Sequence, residues 1–163
     1  MDAKVDKTLK ITTPSDLEIA MTRMFDAPRH LVFDAMTKPQ HVRRWFGCAE
    51  FALPVCEIDL RVGGAYRFTM RTPDGVESTL QGIYREVVRP ERVVFTERLS
   101  MPGFTSDEYQ VTSTFVERGG ITTLTTTILH KSKENRDGHL NSGIEKGVAP
   151  AYDRLAEVVA TMR

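Results

Sequence analysis

The sequence is short of cysteine, of excess charge and of long hydrophobic runs, and each shortage excludes a class of protein. Its 163 residues include two cysteines, Cys48 and Cys56, whose number and spacing match neither a disulfide framework nor a metal-binding motif. Lys plus Arg and Asp plus Glu are both 22, so no excess of positive charge favours nucleic acid or an acidic membrane. No window approaches about 18 consecutive apolar residues, which excludes a transmembrane helix.

Catalytic and targeting motifs are missing as well. The polar N-terminus contains no apolar segment typical of a signal peptide, so we expect a cytoplasmic protein whose cysteines are both free thiols. No HExxH, CxxC or His–carboxylate cluster indicates a metal, and no serine has a GxSxG setting. We therefore expect no metal, no cofactor and no catalytic residue set. The length fits one domain, residues 1–163, in which residues 1–7 are flexible.

The most informative segment is TRMFDAPRHLVFDAMTKPQHVRRWFG, residues 22–47, which predicts the end of a strand and two short helices. Asp26 and Pro28 favour the first helix start, since aspartate accepts hydrogen bonds from unpaired backbone amides. Residues 37–40 have a capping-box pattern with a proline in the first turn of the second helix. The buried positions predicted for the first helix are Leu31, Val32, Ala35 and Met36.

The centre of the chain changes to the two-residue period of half-buried strands. With the strand that precedes the helices, the predicted strands are residues 17–25, 55–61, 66–71, 79–88, 92–99, 109–117 and 121–130. Residues 100–107 read as a loop that carries the apolar Met101 and Phe104. An exposed apolar loop suggests either a gate over a pocket or a dimer contact.

From residue 137 onward, apolar residues recur at three and four positions, which predicts one long amphipathic helix facing the sheet. Gly143, Gly147 and Pro150 each weaken such a helix, so we expect it to bend in its first half. The small residues permit two interpretations. They allow close packing of helix and sheet, or they leave a void in which a ligand is admitted.

This order of elements resembles the helix-grip fold of the START-like, birch-pollen-allergen-like (SRPBCC) superfamily. The opening segment and the closing GIEKGVAPAYDRLAEVV are similar to the subfamily named for the C-terminal domain of the heat-shock-protein-90 ATPase activator. The resemblance implies an α+β fold: a curved antiparallel sheet of six or seven strands, two short helices after the first strand, and a long C-terminal helix across the concave face. Many relatives carry Trp where Val148 stands, and the smaller side chain here enlarges the expected cavity.

In such a fold the space between sheet and helix is a pocket for a small hydrophobic or aromatic ligand. The predicted ligand-binding residues are Trp45, Phe46, Tyr66, Phe68, Met70, Tyr84, Phe95, Phe115, His130, Ile144, Val148 and Tyr152. Glu97, Arg98 and Tyr109 are further candidate polar groups. His30, His41 and His139 are expected at exposed helix positions.

Three functions remain open, because one fold hosts many functions. The first is a carrier, sensor or sequestering protein for a small apolar or aromatic molecule, without nucleic acid or membrane insertion. The second is a cofactor-free enzyme of the polyketide cyclase or hydrolase type, which uses pocket shape and one acid or base such as His130 or Tyr66. The third is a chaperone-associated stress-response domain, which the expected lack of an additional N-terminal domain disfavours. The resemblance also implies a homodimer.

Overall fold

The structure, a computed structural model, describes residues 5–47 and 50–163, and in these residues nine strands form one antiparallel sheet accompanied by four helices. Cys56 is free and buried, while the prediction for Cys48 lies outside the described residues. Residues 1–4 of the N-terminal segment predicted to be flexible also lie outside them. Asp6, within that segment, accepts a backbone hydrogen bond of 3.1 Å from the amide of Met24.

The elements follow one another in the order that the sequence pattern predicts, with two short strands and one helix in addition. The strands are β1 (Lys10–Thr12), β2 (Glu18–Phe25), β3 (Ala52–Ile58), β4 (Ala65–Arg71), β5 (Glu77–Val88), β6 (Arg92–Met101), β7 (Phe104–Thr105), β8 (Tyr109–Arg118) and β9 (Ile121–Leu129). The helices are α1 (Arg29–Thr37), α2 (Pro39–Trp45), α3 (Lys133–Leu140) and α4 (Ile144–Thr161). None of these described helices is long and apolar enough to cross a membrane.

The curved sheet has the strand order β1-β2-β9-β8-β6-β5-β4-β3, and β7 pairs with β6. This arrangement, with α4 across the sheet, confirms the predicted α+β helix-grip fold. The strand count exceeds the expected six or seven. The two strands that were not predicted, β1 and β7, have three and two residues, which is too short for a two-residue period to be recognised.

One face of the sheet and one side of α4 share the main hydrophobic core. Alternation along β4, β8 and β9 turns Tyr66, Phe115 and Leu124 toward the helix, and all three are buried. Tyr152 and Leu155 of α4 pack into the same core. The core therefore sits on the face where the family resemblance implies the pocket.

Both short helices begin at their prolines, but the predicted side-chain caps do not form. Pro28 is the N-cap of α1, and the amide of Arg29 donates a 2.7 Å hydrogen bond to Glu117 Oε1 of β8. The hydroxyl of Thr37 donates to the carbonyl of Phe33 at 2.7 Å, so the predicted capping box is wrong. The buried residues of α1 are Val32, Phe33, Ala35 and Thr37, whereas Leu31 and Met36 are partly buried.

The single C-terminal helix predicted from residue 137 is instead two helices. α3 begins at Lys133, where Ser132 caps it by accepting from the amide of Asn135 at 3.0 Å. The chain leaves the helical path at residues 141–143, and Gly143 takes φ 87° as the N-cap of α4. The glycine that we expected to bend a helix therefore separates two helices, because only glycine adopts this φ without strain.

Two glycines of this region should respond in opposite ways to alanine. We expect Gly143→Ala to lower the free energy of unfolding by about 1 kcal/mol, because a Cβ is strained at φ 87°. Gly147→Ala is the matched control: Gly147 lies inside α4, and nothing lies within 4 Å of an added Cβ. It should raise that free energy by about 0.5–1 kcal/mol. Urea denaturation measures both, and equal effects would contradict the assignment of the helix break.

Candidate functional site

A cavity of about 460 Å³ lies between the concave face of the sheet and α4. Its wall is mostly aromatic and aliphatic. It includes eleven of the twelve residues predicted to bind a ligand, namely Trp45, Phe46, Tyr66, Phe68, Met70, Tyr84, Phe95, Phe115, Ile144, Val148 and Tyr152. The structure therefore brings together residues that are spread over most of the chain.

Each wall follows from a simple local pattern. The two-residue period of β4 turns Tyr66, Phe68 and Met70 to the same face. At the end of α2, Trp45 donates its indole N–H to the carbonyl of Ala35 at 2.9 Å, which fixes the ring against the cavity. Phe46 follows directly, and its ring centroid lies 4.8 Å from that of Phe68. These contacts connect the two short helices to the far strands of the sheet.

The helical wall is open where side chains are missing. Ile144 and Val148 face the cavity from the first two turns of α4, and Tyr152 follows one turn later. Gly147 also lines the cavity, and no atom lies within 4 Å of the position that its Cβ would take. Gly147 is exposed, so the structure shows solvent-accessible space there rather than close packing of helix and sheet.

One carboxyl group, that of Glu97 on β6, lies in this apolar wall. Its Oε2 accepts a 2.7 Å hydrogen bond from the hydroxyl of Tyr109, and its Oε1 lies 3.0 Å from the hydroxyl of Tyr66. Burial raises the pKa of Glu97, and the two hydrogen bonds oppose this rise only in part. The carboxyl thus favours its neutral form more than an exposed glutamate does.

The same environment raises the pKa of both tyrosines. Burial is the largest cause for Tyr66 and for Tyr109, and the charge of Glu97 adds to it. Both hydroxyls therefore stay protonated at any ordinary pH and act as hydrogen-bond donors. A second polar patch lies on the wall at Tyr152, whose hydroxyl is 3.4 Å from that of Thr126.

His130, the twelfth predicted ligand-binding residue, does not line the cavity. Its Nε2 lies 2.9 Å from Nδ1 of His139, and it is His139 that reaches the wall. The expectation that His139 is exposed is wrong, because its ring is partly buried against His130 and Tyr109. The Tyr109 ring lies 4.9 Å from the His130 ring and 5.5 Å from the His139 ring.

Desolvation lowers the pKa of both histidines. The pKa of His139 falls to about 4, mainly through burial and further through the charge of His130. For His130 the causes are burial and then the charge of Arg136. A neutral pair can share a proton along the Nδ1–Nε2 contact, whereas two protonated rings cannot, because neither then has an acceptor.

Some predicted residues lie elsewhere, and some wall residues were missed. Arg98 is exposed on the opposite face of β6, so its place among the candidate polar groups is wrong. The two-residue alternation along β6 indicates this already: Glu97 lies on the same side of the strand as Phe95, so Arg98 lies on the other side. Met101 and Phe104 form a hairpin end that is exposed and outside the cavity wall.

The polar wall residues that were not predicted are Thr37, Ser113, Thr126 and His139.

Within residues 5–47 and 50–163, no three His, Cys, Asp or Glu side chains are grouped so that they could hold a metal ion. No Lys or Arg occurs among the described residues that line the cavity. The described wall residues therefore present apolar surface, hydroxyl groups, one neutral imidazole and one carboxyl group to a ligand.

The histidine pair should make the fold sensitive to acid. An unfolded histidine binds a proton near pH 6.5 and His139 only near pH 4, so the free energy of unfolding should fall as the pH decreases through this window. Because His139 keeps part of its solvent access, we expect a contribution of about 1–2 kcal/mol. His139→Asn keeps a polar partner and should remove this contribution from denaturation curves. The exposed His30→Asn is the control, and identical pH profiles for all proteins would refute the assignment.

Comparison with known proteins identifies the fold and the family. The structure aligns with that of a structural-genomics protein from Rhodobacter sphaeroides at a TM-score of 0.87 and 22% identity, covering 96% of this chain and 100% of that one. A protein from Nitrosomonas europaea aligns at 0.79 and 21% identity, covering 93% and 100%. The AHSA1 protein from Silicibacter pomeroyi aligns at 0.70 and 19% identity, covering 90% and 99%. A search of curated sequences finds no significant match.

The family assignment comes from the sequence itself. Residues 26–160 match the family described as Activator of Hsp90 ATPase homolog 1-like protein. The match begins just before α1 and extends almost to the end of α4, so it includes both short helices and the helix that covers the cavity. This chain therefore belongs to the Activator of Hsp90 ATPase homolog 1-like family, within the START-like (SRPBCC) superfamily.

Proposed function

We propose that this protein binds a small apolar or aromatic molecule in the cavity between the sheet and α4. The observation that carries the proposal is the cavity itself, about 460 Å³ in volume and lined mainly by aromatic and aliphatic side chains. This volume lies within the range of about 300–1,000 Å³ that is usual for ligand pockets. An apolar space of this size would otherwise cost stability through lost packing contacts.

The first turns of α4 provide a route into the cavity. Ile144 lines both the cavity and an open surface depression formed with Leu140 and Pro150. Gly143, at the start of α4, is exposed, and Gly147 leaves the helix without a side chain at this point. A small displacement of this end of α4 would connect the cavity with solvent, while the buried second half of the helix stays in place.

The proposal can be tested by filling the cavity. Val148→Trp should abolish binding of the neutral fluorescent probe N-phenyl-1-naphthylamine, or weaken it by at least about tenfold, because the indole occupies the ligand's space. Fluorescence titration measures this, and native mass spectrometry shows whether a small molecule that co-purifies with the wild type is lost. Val116→Trp is the control, since Val116 is exposed on β8.

Two results would contradict the proposal. One is the absence of any co-purifying molecule together with no binding of the probe by the wild type. The other is equal binding by the Val148→Trp and wild-type proteins when circular dichroism shows both to be folded.

Catalysis without a cofactor is a second candidate, which one observation favours. Glu97 is a carboxyl group with a raised pKa in a cavity wall, and such groups act as general acids or bases in some enzymes. The two candidates differ in the fate of the ligand. A binding protein returns the extracted molecule unchanged after prolonged incubation, whereas an enzyme converts it, and mass spectrometry distinguishes the two outcomes.

A chaperone-associated role is the third candidate, suggested by the family description. An empty apolar cavity contributes nothing to a docking surface, so the features described above do not favour this role. We therefore expect no increase in the ATPase rate of an Hsp90 chaperone when this protein is added in excess. A coupled ATPase assay with a full-length activator as the positive control measures it, and a reproducible increase would support the chaperone role instead.

A further inference from the structure

Among the residues that the structure describes, Glu97 has no basic partner. Its hydrogen-bonding partners in the described residues are the hydroxyls of Tyr66 and Tyr109, and no salt bridge includes it. A buried carboxylate is costly unless a positive charge compensates it. The cavity wall supplies no such charge, because none of its described residues is Lys or Arg.

The hydrogen bonds around Glu97 indicate how the empty site avoids this cost. The hydroxyl of Tyr66 lies 2.9 Å from the carbonyl of Thr96 and 3.0 Å from Glu97 Oε1, but it has one proton to donate. Both contacts are satisfied together only when Glu97 carries a proton on Oε1 and donates it to Tyr66. Tyr109 then donates to Oε2. The empty site thus fits a neutral carboxyl group.

The rings next to Glu97 suit a positive charge. The centroid of Phe95 lies 5.2 Å from that of Tyr66 and 5.8 Å from that of Tyr84, so three aromatic rings cluster beside the carboxyl. Aromatic rings attract cations, most strongly where water is excluded. A carboxyl group and aromatic rings in a wall without basic residues disfavour an anion such as a fatty acid and favour a cation.

We propose that the cavity takes a small amine with an apolar body, and that its ammonium group replaces the proton of Glu97. This inference rests on the proposed binding function and names the ligand class. In the complex, Glu97 accepts one hydrogen bond from the ammonium group and one from Tyr109. Tyr66 then donates to the carbonyl of Thr96, and the apolar part of the ligand lies against the remaining wall.

The proton balance makes the proposal measurable. A free ammonium ligand and a neutral Glu97 combine to an ion pair, so up to one proton is released to solvent on binding. Amine affinity should therefore rise with pH while Glu97 is protonated in the empty site. The other titratable groups that line the cavity with Glu97 stay neutral between pH 6 and 9, because burial raises the pKa of the tyrosines and lowers that of the histidine. They are Tyr66 of β4, Tyr84 of β5, Tyr109 of β8, Tyr152 of α4 and His139 of α3.

The experiment compares two probes of the same size, 3-phenylpropylamine and n-butylbenzene, by displacement of N-phenyl-1-naphthylamine between pH 6 and 9. The wild type should prefer the amine, with an affinity that rises with pH, and calorimetry in two buffers should detect proton release. Glu97→Gln preserves the shape and removes the charge. It should weaken amine binding by about 10- to 100-fold and leave n-butylbenzene binding unchanged.

The outcomes separate this inference from the proposed function. If the wild type binds n-butylbenzene at least as well as the amine, with no proton release, the ligand class is wrong and the cavity proposal stands. A third probe, the neutral ketone 4-phenylbutan-2-one, tests the opposite case. If it binds more tightly than the other two probes, and its affinity falls as the pH rises, Glu97 acts as a neutral hydrogen-bond donor and the amine proposal is refuted. If no probe binds, both proposals fail. The wild-type pH profile and proton release decide the matter even if Glu97→Gln does not fold.

Discussion

The way α4 is held against the sheet determines almost everything else about this molecule. Its second half is fixed: Leu155 is fully buried, and Arg154 donates to the carbonyls of Trp45 and Gly47 at the end of α2. Arg23 of β2 forms a 3.0 Å ion pair with Asp153, while its guanidinium lies 4.6 Å from the centre of the Phe25 ring. In the first two turns of α4, by contrast, Ile144 and Val148 are only partly buried and Gly147 is exposed. A helix fixed at one end spans the curved sheet without filling the space below its other end, so the cavity follows from how the helix is anchored.

The placement of one acid in that cavity follows from sheet geometry. Gly82 on β5 allows a close approach to β6, since an added Cβ would lie 1.7 Å from the carbonyl oxygen of Thr96. That same carbonyl accepts from Tyr66, and the next residue, Glu97, turns toward the cavity. Any side chain at position 82 would push the strands apart and break the alignment of the two tyrosines with the carboxyl. The polar end of the cavity thus depends on a residue that has no side chain of its own.

The positions of the strands and helices, and the side chains that share a face, follow from simple periodicities, whereas the helix-grip fold and its pocket were implied by the family resemblance. Alternation along β4 placed Tyr66, Phe68 and Met70 together, and helical spacing did the same for residues 144, 148 and 152. The histidine pair could not be predicted in this way. Residue 139 is turned away from solvent by its contacts with His130 and Tyr109, and these depend on how α3 docks against the sheet, which its own periodicity does not reveal. The carboxyl of Glu97 was named among several polar groups, but its pairing with two tyrosines depends on strand order and register, which periodicity does not reveal.

Fold and specificity have separate determinants in this protein. Structures with 19–22% identity share its architecture, so most side chains can change while the sheet and its helices remain. Strand alternation, the prolines of α1 and α2 and the apolar stripe of α4 are general features that many residue combinations satisfy. An acidic side chain in an apolar wall is different, because the protein must either keep it neutral or supply it with a positive charge. Function should therefore be sought at the residues that the fold does not need, and in this chain Glu97 is foremost among them.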